Sequence, residues 1–473
     1  MNLTNPYLPD NVYIPDGEPH VYGDRVYLYG SHDLPGTRFP CEGDYQCWSA
    51  LLTNLSDWCN EGTIYHRLQD PFIRRHQHDW RPFSKYLFAL DVVQVGPHWY
   101  LYYGVGMSGA GIGVAVADAP TGPFKYLGRV TSPDGTILGE GRPLFTIPLG
   151  IPIFHKAGYP YDPALLYDQG RLFLYFGYGH CYVAELSTTD MRTLITSRET
   201  GRYVSPDLVP PVAPWKMVNG PSIRRIDDQY YLTYYGKLQG NNALCYATAA
   251  QPWGPFTFRG VLVFLGNGGV FGHRPGTAYQ GNTHGGLFMA AGRFYQSYHR
   301  QTGDRFPNRQ ACLVELKRAP DSYFKTAEFT SQVQAAGGLP WDHTYGAKIA
   351  CVLVDKQGRC RKGRAPFFWL KDGRQVATNL RNGSQIGVKY LDFTGAGRRQ
   401  RLHIKLQNSR PSKILMRIDH GSRVVGTVET VSGHDWFTGV TTIPEGRHAV
   451  YFEFQGVKRA QLVAFRFGRG DAN

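Results

Sequence analysis

The chain alternates short polar turns with runs in which tyrosine, phenylalanine and tryptophan recur beside leucine and valine. Five such runs are GDRVYLYG (23–30), GPHWYLYYG (96–104), QGRLFLYFG (169–177), DDQYYLTYYG (227–236) and AGRFYQSYHR (291–300). Aromatic and β-branched side chains following a turn suit a pleated, packed strand. Each run is alternately or continuously apolar, as in strands covered on both faces. The copies stand roughly 60 to 70 residues apart, longer than the about 40 to 50 of a simple propeller blade and compatible with blades carrying long loops. Two copies are followed by a second shared element, APTGPF (119–124) and QPWGPF (251–256). Five four-stranded sheets arranged radially are therefore expected, with inner strands at a central axis and loops from several blades meeting there.

After residue 316 the pattern changes. Residues 317–345 are mixed, contain Gly and Pro, and are expected to form a linker. Short strand candidates follow: KIACVLVD, QIGVKYLDF, RLHIKLQ, KILMRIDH, RVVGTVETV, HAVYFEFQG and QLVAFRFG. Their length and turn spacing predict a jelly-roll-like β-sandwich. The expected fold is all-β, with a five-bladed β-propeller over 1–316, a linker over 317–345 and the sandwich over 346–473. Trp369, Trp436 and Tyr390 are candidates for stacking on sugar rings, although core packing is the commoner fate of such aromatics.

Composition narrows the functional classes. A chain of 473 residues with 42% hydrophobic content buries a large core, enough for two domains. The net charge is +14, which raises nucleic acid or an acidic glycan as partners. Much of it falls in pieces such as KQGRCRKGR (356–364) and GRRQR (397–401), which lack interleaved stacking aromatics. A solvated basic face is the expectation, with no nucleic-acid partner and an acidic glycan as the weaker alternative. The eight cysteines are scattered, without a CxxC pair, so no zinc site is expected. No apolar run reaches the roughly 18 to 20 residues that span a bilayer, and MNLTNPYLPD lacks the charged start and apolar centre of a secretory signal. The expectation is a cytoplasmic chain with no membrane partner.

Three polar clusters lie at the edges of the repeats. YIPDGEPHVYGDRVYLYGSHD (13–33) holds Asp16 between Pro15 and Gly17, YPYDPALLYDQGRLFLYFG (159–177) repeats the arrangement with Asp162-Pro163, and VNGPSIRRIDDQYYLTYYG (218–236) places Asn219-Gly220-Pro221-Ser222 correspondingly. A turn Asp or Asn-Gly is ordinary taken singly. Their recurrence at the starts of different blades aims several polar groups at one axis. Paired carboxylates across a cleft are what glycoside hydrolysis uses, one activating water and the other protonating the leaving oxygen. No P-loop, GxSxG or HExxH motif competes.

These stretches, with LFALDVVQVGPHWYLYYG and GNTHGGLFMAAGRFYQSYHR, resemble the successive blades of glycoside hydrolase family 43 over roughly residues 5 to 315. That family comprises five-bladed propeller enzymes, chiefly α-L-arabinofuranosidases and β-xylosidases. The tail from about 346 resembles the family 6 type of carbohydrate-binding β-sandwich. The resemblance implies an inverting mechanism on an oligosaccharide or polysaccharide, with Asp16 as general base and Asp162 as the acidic residue that orients the acid and raises its pKa. It also implies Asp91 and Arg300 as substrate-binding residues. His284 would lie by the axis near a hydrated metal ion, often calcium, and no organic cofactor is implied. At the position of the family's general-acid glutamate this chain has Asn219, whose amide can hydrogen-bond the glycosidic oxygen but cannot supply a proton as an acid does. Glu140 and Glu18 are alternative acids, and a non-catalytic glycan-binding protein is the rival function. A terminal α-L-arabinofuranosyl unit is the expected substrate, with β-xylosyl second.

Overall fold

The computed structural model describes residues 3–79, 84–106, 108–140, 159–209, 216–238, 240–270, 276–304, 307–321, 323–419, 421 and 423–470. The five aromatic runs become the second strand of five blades. In blade one, Glu18–Tyr22, Arg25–Gly30, Tyr45–Leu51 and Asn54–Tyr65 pair in sequence order. Blade two is Leu87–Val95, His98–Val105, Ile112–Ala117 and Lys125–Arg129; blade three is Ala164–Asp168, Arg171–Phe176, Tyr182–Leu186 and Leu194–Ile195. Blade four is Lys216–Ile226, Gln229–Leu238, Asn241–Ala249 and Thr257–Phe264. Blade five has three strands among the described residues, Leu287–Ala290, Arg293–Gln301 and Arg309–Leu316, where four were expected.

The innermost strand of each blade is the one before the aromatic run, and these first strands touch around the axis. The aromatic strands stand one position farther out, where both faces meet neighbouring blades. Tyr29, Tyr102, Tyr103 and Tyr175 are fully buried there. Their hydroxyls still need partners, because an unpaired buried polar group is costly. Tyr102 donates to Met191 O and Tyr103 to Asp70, and the second shared element supplies the other two: Tyr29 donates to Pro120 O at 2.8 Å and Tyr175 to Pro252 O at 2.5 Å. The recurrence of APTGPF and QPWGPF thus has a packing cause, since each offers a carbonyl to a tyrosine of the preceding blade.

The ring closes between blades five and one. Gly17 bridges Gly285 in parallel, and the Asn5 side chain pairs with the Leu313 backbone in both directions, at 2.7 and 3.0 Å. This closure brings residues near 16 to residues near 300.

The C-terminal strands form one continuous sheet around a single apolar core that includes Leu402, Ile404, Leu406, Phe452 and Phe465. Strand Gln400–Asn408 alternates strictly, with every second residue buried. The sheet already begins at Leu339–Pro340, inside the stretch expected as linker, and Ala327 bridges back to Val263 of blade four. Val352, Val354 and Tyr451 share a core with Tyr231, Leu244 and Tyr298 of the propeller, so the two domains are packed together. Of the three aromatics proposed for sugar stacking, Tyr390 is covered by Arg447, 3.5 Å from its ring, and bonds Glu328. Trp369 is exposed and Trp436 half-buried. Among the described residues no helix is long and apolar enough to cross a membrane.

Candidate active site

Asp16 and Asp162 precede the first strands of blades one and three, and both adopt the left-handed backbone region, at φ 57° and 49°. Such a conformation is uncommon outside glycine, though Asp tolerates it, and it clusters where side chains must be aimed. Asn219 lies within the first strand of blade four, at an irregularity where the pairing with the next strand slips on either side of it. That slip is a bulge, which re-aims a side chain. Gly220, at φ +66°, follows; a Cβ there would stand 2.9 Å from the His284 ring, so only glycine lets the strand pass so close.

Asp16, Asp162 and Asn219 line one cavity of about 220 Å³, together with Phe39, Phe88, Tyr161 and Arg309. Three residues predicted from separate stretches of sequence therefore face one another. The Asn219 amide makes no hydrogen bond to another described residue, which leaves it available to a ligand.

The electrostatics of the two carboxyls diverge. Asp16 receives Arg309 Nη1 at 3.2 and 3.3 Å, and its backbone N–H donates to His299 Nδ1 at 3.0 Å. Burial opposes its ionisation, but the positive charges facing it, Arg309 foremost, prevail and hold the carboxyl at about 2. Arg309 also clamps Asp33, with Nε at 2.9 Å and Nη2 at 2.8 Å. Asp162 has no such clamp. Burial pushes its carboxyl up to about 7, with the Asp16 charge adding and His284 and the Gly220 N–H subtracting. Behind Asp16, burial drives His299 down to about 3, so it is a neutral acceptor for the Asp16 N–H, with Nε2 facing Asn282 Oδ1 at 3.3 Å.

At the axis below the cavity, His284 Nε2 is 3.2 Å from Glu18 Oε1, an ion-pair distance without hydrogen-bond alignment. Burial works against the imidazolium, yet Glu18 first, then Asp162 and Asp16, raise it to about 9. Glu18 Oε2 accepts from Ser222 Oγ at 2.8 Å and from Arg224 Nη2 at 2.9 Å. Glu18 is fully buried and does not line the cavity; burial opposes its ionisation, but its His284 and Arg224 partners hold its carboxyl below the ordinary range. Glu140 is exposed and does not line the cavity; residues 141–158, which follow it, lie outside the described residues.

The other predicted residues stand elsewhere. Asp91 accepts from Val92 N–H and Leu165 N–H, each at 2.7 Å, and pairs with His20 Nε2 at 2.5 Å, tying the first strands of blades one, two and three. Arg300 donates to Ala350 O at 3.0 Å and Lys348 O at 2.5 Å and lies over Phe368, locking the propeller to the C-terminal sheet. Both were expected at the sugar; neither is among the cavity residues. Two other arginines line the cavity instead, Arg38 and Arg309, the latter nine positions after Arg300 at the start of the last propeller strand.

Glu18, His20 and Asp91 bring potential metal ligands within 4.8 Å of one another. Calcium takes six to eight oxygen ligands. Both Asp91 oxygens and Glu18 Oε2 are already engaged, and Arg224 already brings positive charge against Glu18. Glu18 Oε1 and both His284 ring nitrogens have no hydrogen-bond partner among the described residues, so they are the protein atoms that could stand beside a hydrated ion.

The family model described as glycosyl hydrolases family 43 matches residues 15–324. Over 492 residues, covering 98% of each chain, the sequence is 31% identical to a xylosidase/arabinosidase of Thermoclostridium stercorarium. It is 26% identical over 401 residues to an arabinoxylan arabinofuranohydrolase of Bacillus subtilis (strain 168), covering 78% of this chain and 71% of that one. Among solved structures, the GH43_1 enzyme from Xanthomonas citri complexed with xylose matches in fold with a TM-score of 0.50 at 23% identity, over 69% of this chain and 93% of that chain.

Proposed function

Because the chain belongs to glycosyl hydrolases family 43, we propose that it removes terminal α-L-arabinofuranosyl units from plant-derived arabinoxylan oligosaccharides, by a single displacement that inverts the anomeric carbon. The observation that carries this is the convergence of Asp16, Asp162 and Asn219 from three blades on one cavity. At about 220 Å³ it is small, below the roughly 300–1,000 Å³ typical of drug-sized ligands. That size favours one terminal sugar and therefore exo action. The preference for arabinose over a β-xylosyl unit rests on the family resemblance, and both sugars appear in the relatives' names.

Two carboxyls with pKa values pushed apart divide the work of acid and base. Asp16, ionised, takes a proton from the attacking water as its oxygen bonds the anomeric carbon. Asp162, titrating at about 7, keeps a proton over much of the neutral range. With an amide at position 219, Asp162 is the cavity group suited to pass that proton to the leaving oxygen as the glycosidic bond breaks. Asn219 then hydrogen-bonds the same oxygen. The amide at position 219 also favours a second reading, a glycan-binding protein that keeps the cavity and turns over little.

Neutral arabinoxylo-oligosaccharides, with free sugars followed by proton NMR, test the proposal. Release of arabinose as the inverted anomer is expected. Release of the retained anomer overturns the mechanism, and binding without release from either oligosaccharides or aryl glycosides establishes the second reading.

A further inference from the structure

The C-terminal sheet carries a basic face, without a carboxylate from its three strands among the described residues, that the propeller chemistry does not use. Strand Gln400–Asn408 runs between Gly433–Thr441 and Lys458–Arg469, and its alternation turns Arg401, His403 and Lys405 outward. Trp436 stands opposite Lys405 on one side; Arg466 stands opposite His403 on the other. The remaining outward residues of the three strands are Gln, His, Thr, Val, Ala and Gly, so no carboxylate faces this surface from them. Asp435 alternates to the opposite side together with Phe437, which packs on the core.

The cations concentrate there. Lys371 reaches in from a neighbouring hairpin, with Nζ 2.8 Å from Gln407 Oε1. Arg466 lies 5.3 Å from the Trp436 ring centroid, within cation–π range. Burial and then the charges of Arg466 and Arg401 hold His403 below its ordinary pKa. Lys405 and Arg466 have no carboxylate partner among the described residues, whereas Lys389 and Arg417 elsewhere in the same sheet are paired with Glu328 and Glu453.

We propose that this face binds the uronic-acid groups of an acidic plant oligosaccharide, with the sugar's apolar side on Trp436 and its carboxylate on Lys405 and Arg466. A pyranose ring offers C–H groups to an indole, and a carboxylate matches a guanidinium in a bidentate fork. A single aromatic platform suits a sugar better than the successive stacked bases of a single-stranded nucleic acid. The inference rests on the reading of the chain as a carbohydrate-active protein, and the packed domains would hold such a chain beside the propeller.

The test is calorimetric titration of the full chain with three probes: a glucuronic-acid-substituted xylo-oligosaccharide, its neutral arabinose-substituted counterpart and a single-stranded oligonucleotide. Hydrolysis of an aryl arabinofuranoside is followed in parallel. The acidic sugar is expected to bind about tenfold more tightly than the neutral one, the scale of one charge-assisted hydrogen bond. That advantage should disappear in Lys405→Gln/Arg466→Gln and affinity fall in Trp436→Ala, with aryl hydrolysis and thermal melting unchanged. The single exposed change Lys405→Gln guards against misfolding of the double variant and should lose part of the advantage. Equal binding of both sugars, an advantage that survives the double substitution, or tighter binding of the oligonucleotide overturns the inference. Absent hydrolysis with uronate binding intact strikes the proposed activity and upholds this surface.

Discussion

Arg309 and Asp16 lie 293 positions apart in sequence, yet Arg309 Nη1 stands 3.2 Å from Asp16 Oδ2 inside the candidate active site. The same guanidinium holds Asp33, so one buried cation answers two buried carboxylates. Removing one member of a buried network leaves uncompensated charge, at a cost of about 3–5 kcal/mol. Arg309→Met should therefore lower stability by roughly that much in chemical denaturation. Where it folds, Asp16 should titrate higher, visible as an upward shift of the acidic limb of the pH–rate profile.

Asp162→Asn separates catalysis from stability. If Asp162 delivers the proton, kcat on a natural oligosaccharide should fall by about 10² to 10⁴, with a much smaller loss on an aryl glycoside whose leaving group needs no proton. Its folded pKa is raised, so its contribution to stability is present below the ordinary carboxyl pKa and lost as pH rises through about 7. Above that pH the fold must hold a poorly solvated carboxylate, which the amide avoids. The variant should melt higher than the parent at pH 8, with a smaller gain at pH 5. Equal kcat for parent and variant on the natural substrate would remove Asp162 as proton donor.

The pH dependence of the parent follows from the same pair. Asp16 stays ionised down to about 2, whereas Asp162 gives up its proton near 7. Activity on natural oligosaccharides should be highest on the acid side of neutrality and fall above pH 7, and activity on activated aryl glycosides should fall less.

Asn219→Glu supplies a proton donor where the family has one. General-acid assistance is worth roughly 10² to 10⁴, and if Asp162 delivers the proton as proposed, the gain in kcat on natural oligosaccharides should approach the lower end. An unchanged kcat would mean that position 219 does not face the leaving oxygen.

His284 governs the alkaline limb of stability. Its folded pKa is raised to about 9, so the stability it contributes is fully present below its ordinary pKa and lost as pH rises through about 9. Thermal melts should fall between about pH 6.5 and 9 in the parent, and the slope should flatten in His284→Gln. If a hydrated calcium ion stands beside His284, dialysis against EDTA should lower the melting temperature and added calcium should restore it; an unchanged melting temperature would remove the ion from the axis.

Local pattern made much of the molecule readable. The five aromatic strands, the change of texture after residue 316, and Asp16, Asp162 and Asn219 all follow from turn chemistry and strand periodicity repeated at each blade. The same repetition misled where the partner of a side chain was at issue. Asp91 and Arg300 occupy blade positions that suggest a site, but their neighbours come from His20 and Leu165, and from Lys348 and Ala350, and these bonds turn them to structural work.

The sequence by itself determined the alphabet of the candidate site: two carboxylates and an amide at the starts of blades, because residue type and backbone turn preference are local properties. Only the tertiary structure decided which carboxylate is ionised. Closure of the ring through Gly17 and Gly285 delivers Arg309 to Asp16 and leaves Asp162 without a guanidinium hydrogen-bonded to it. A pKa is set by burial and by charges arriving from distant segments, and those distances exist only after the chain has closed on itself.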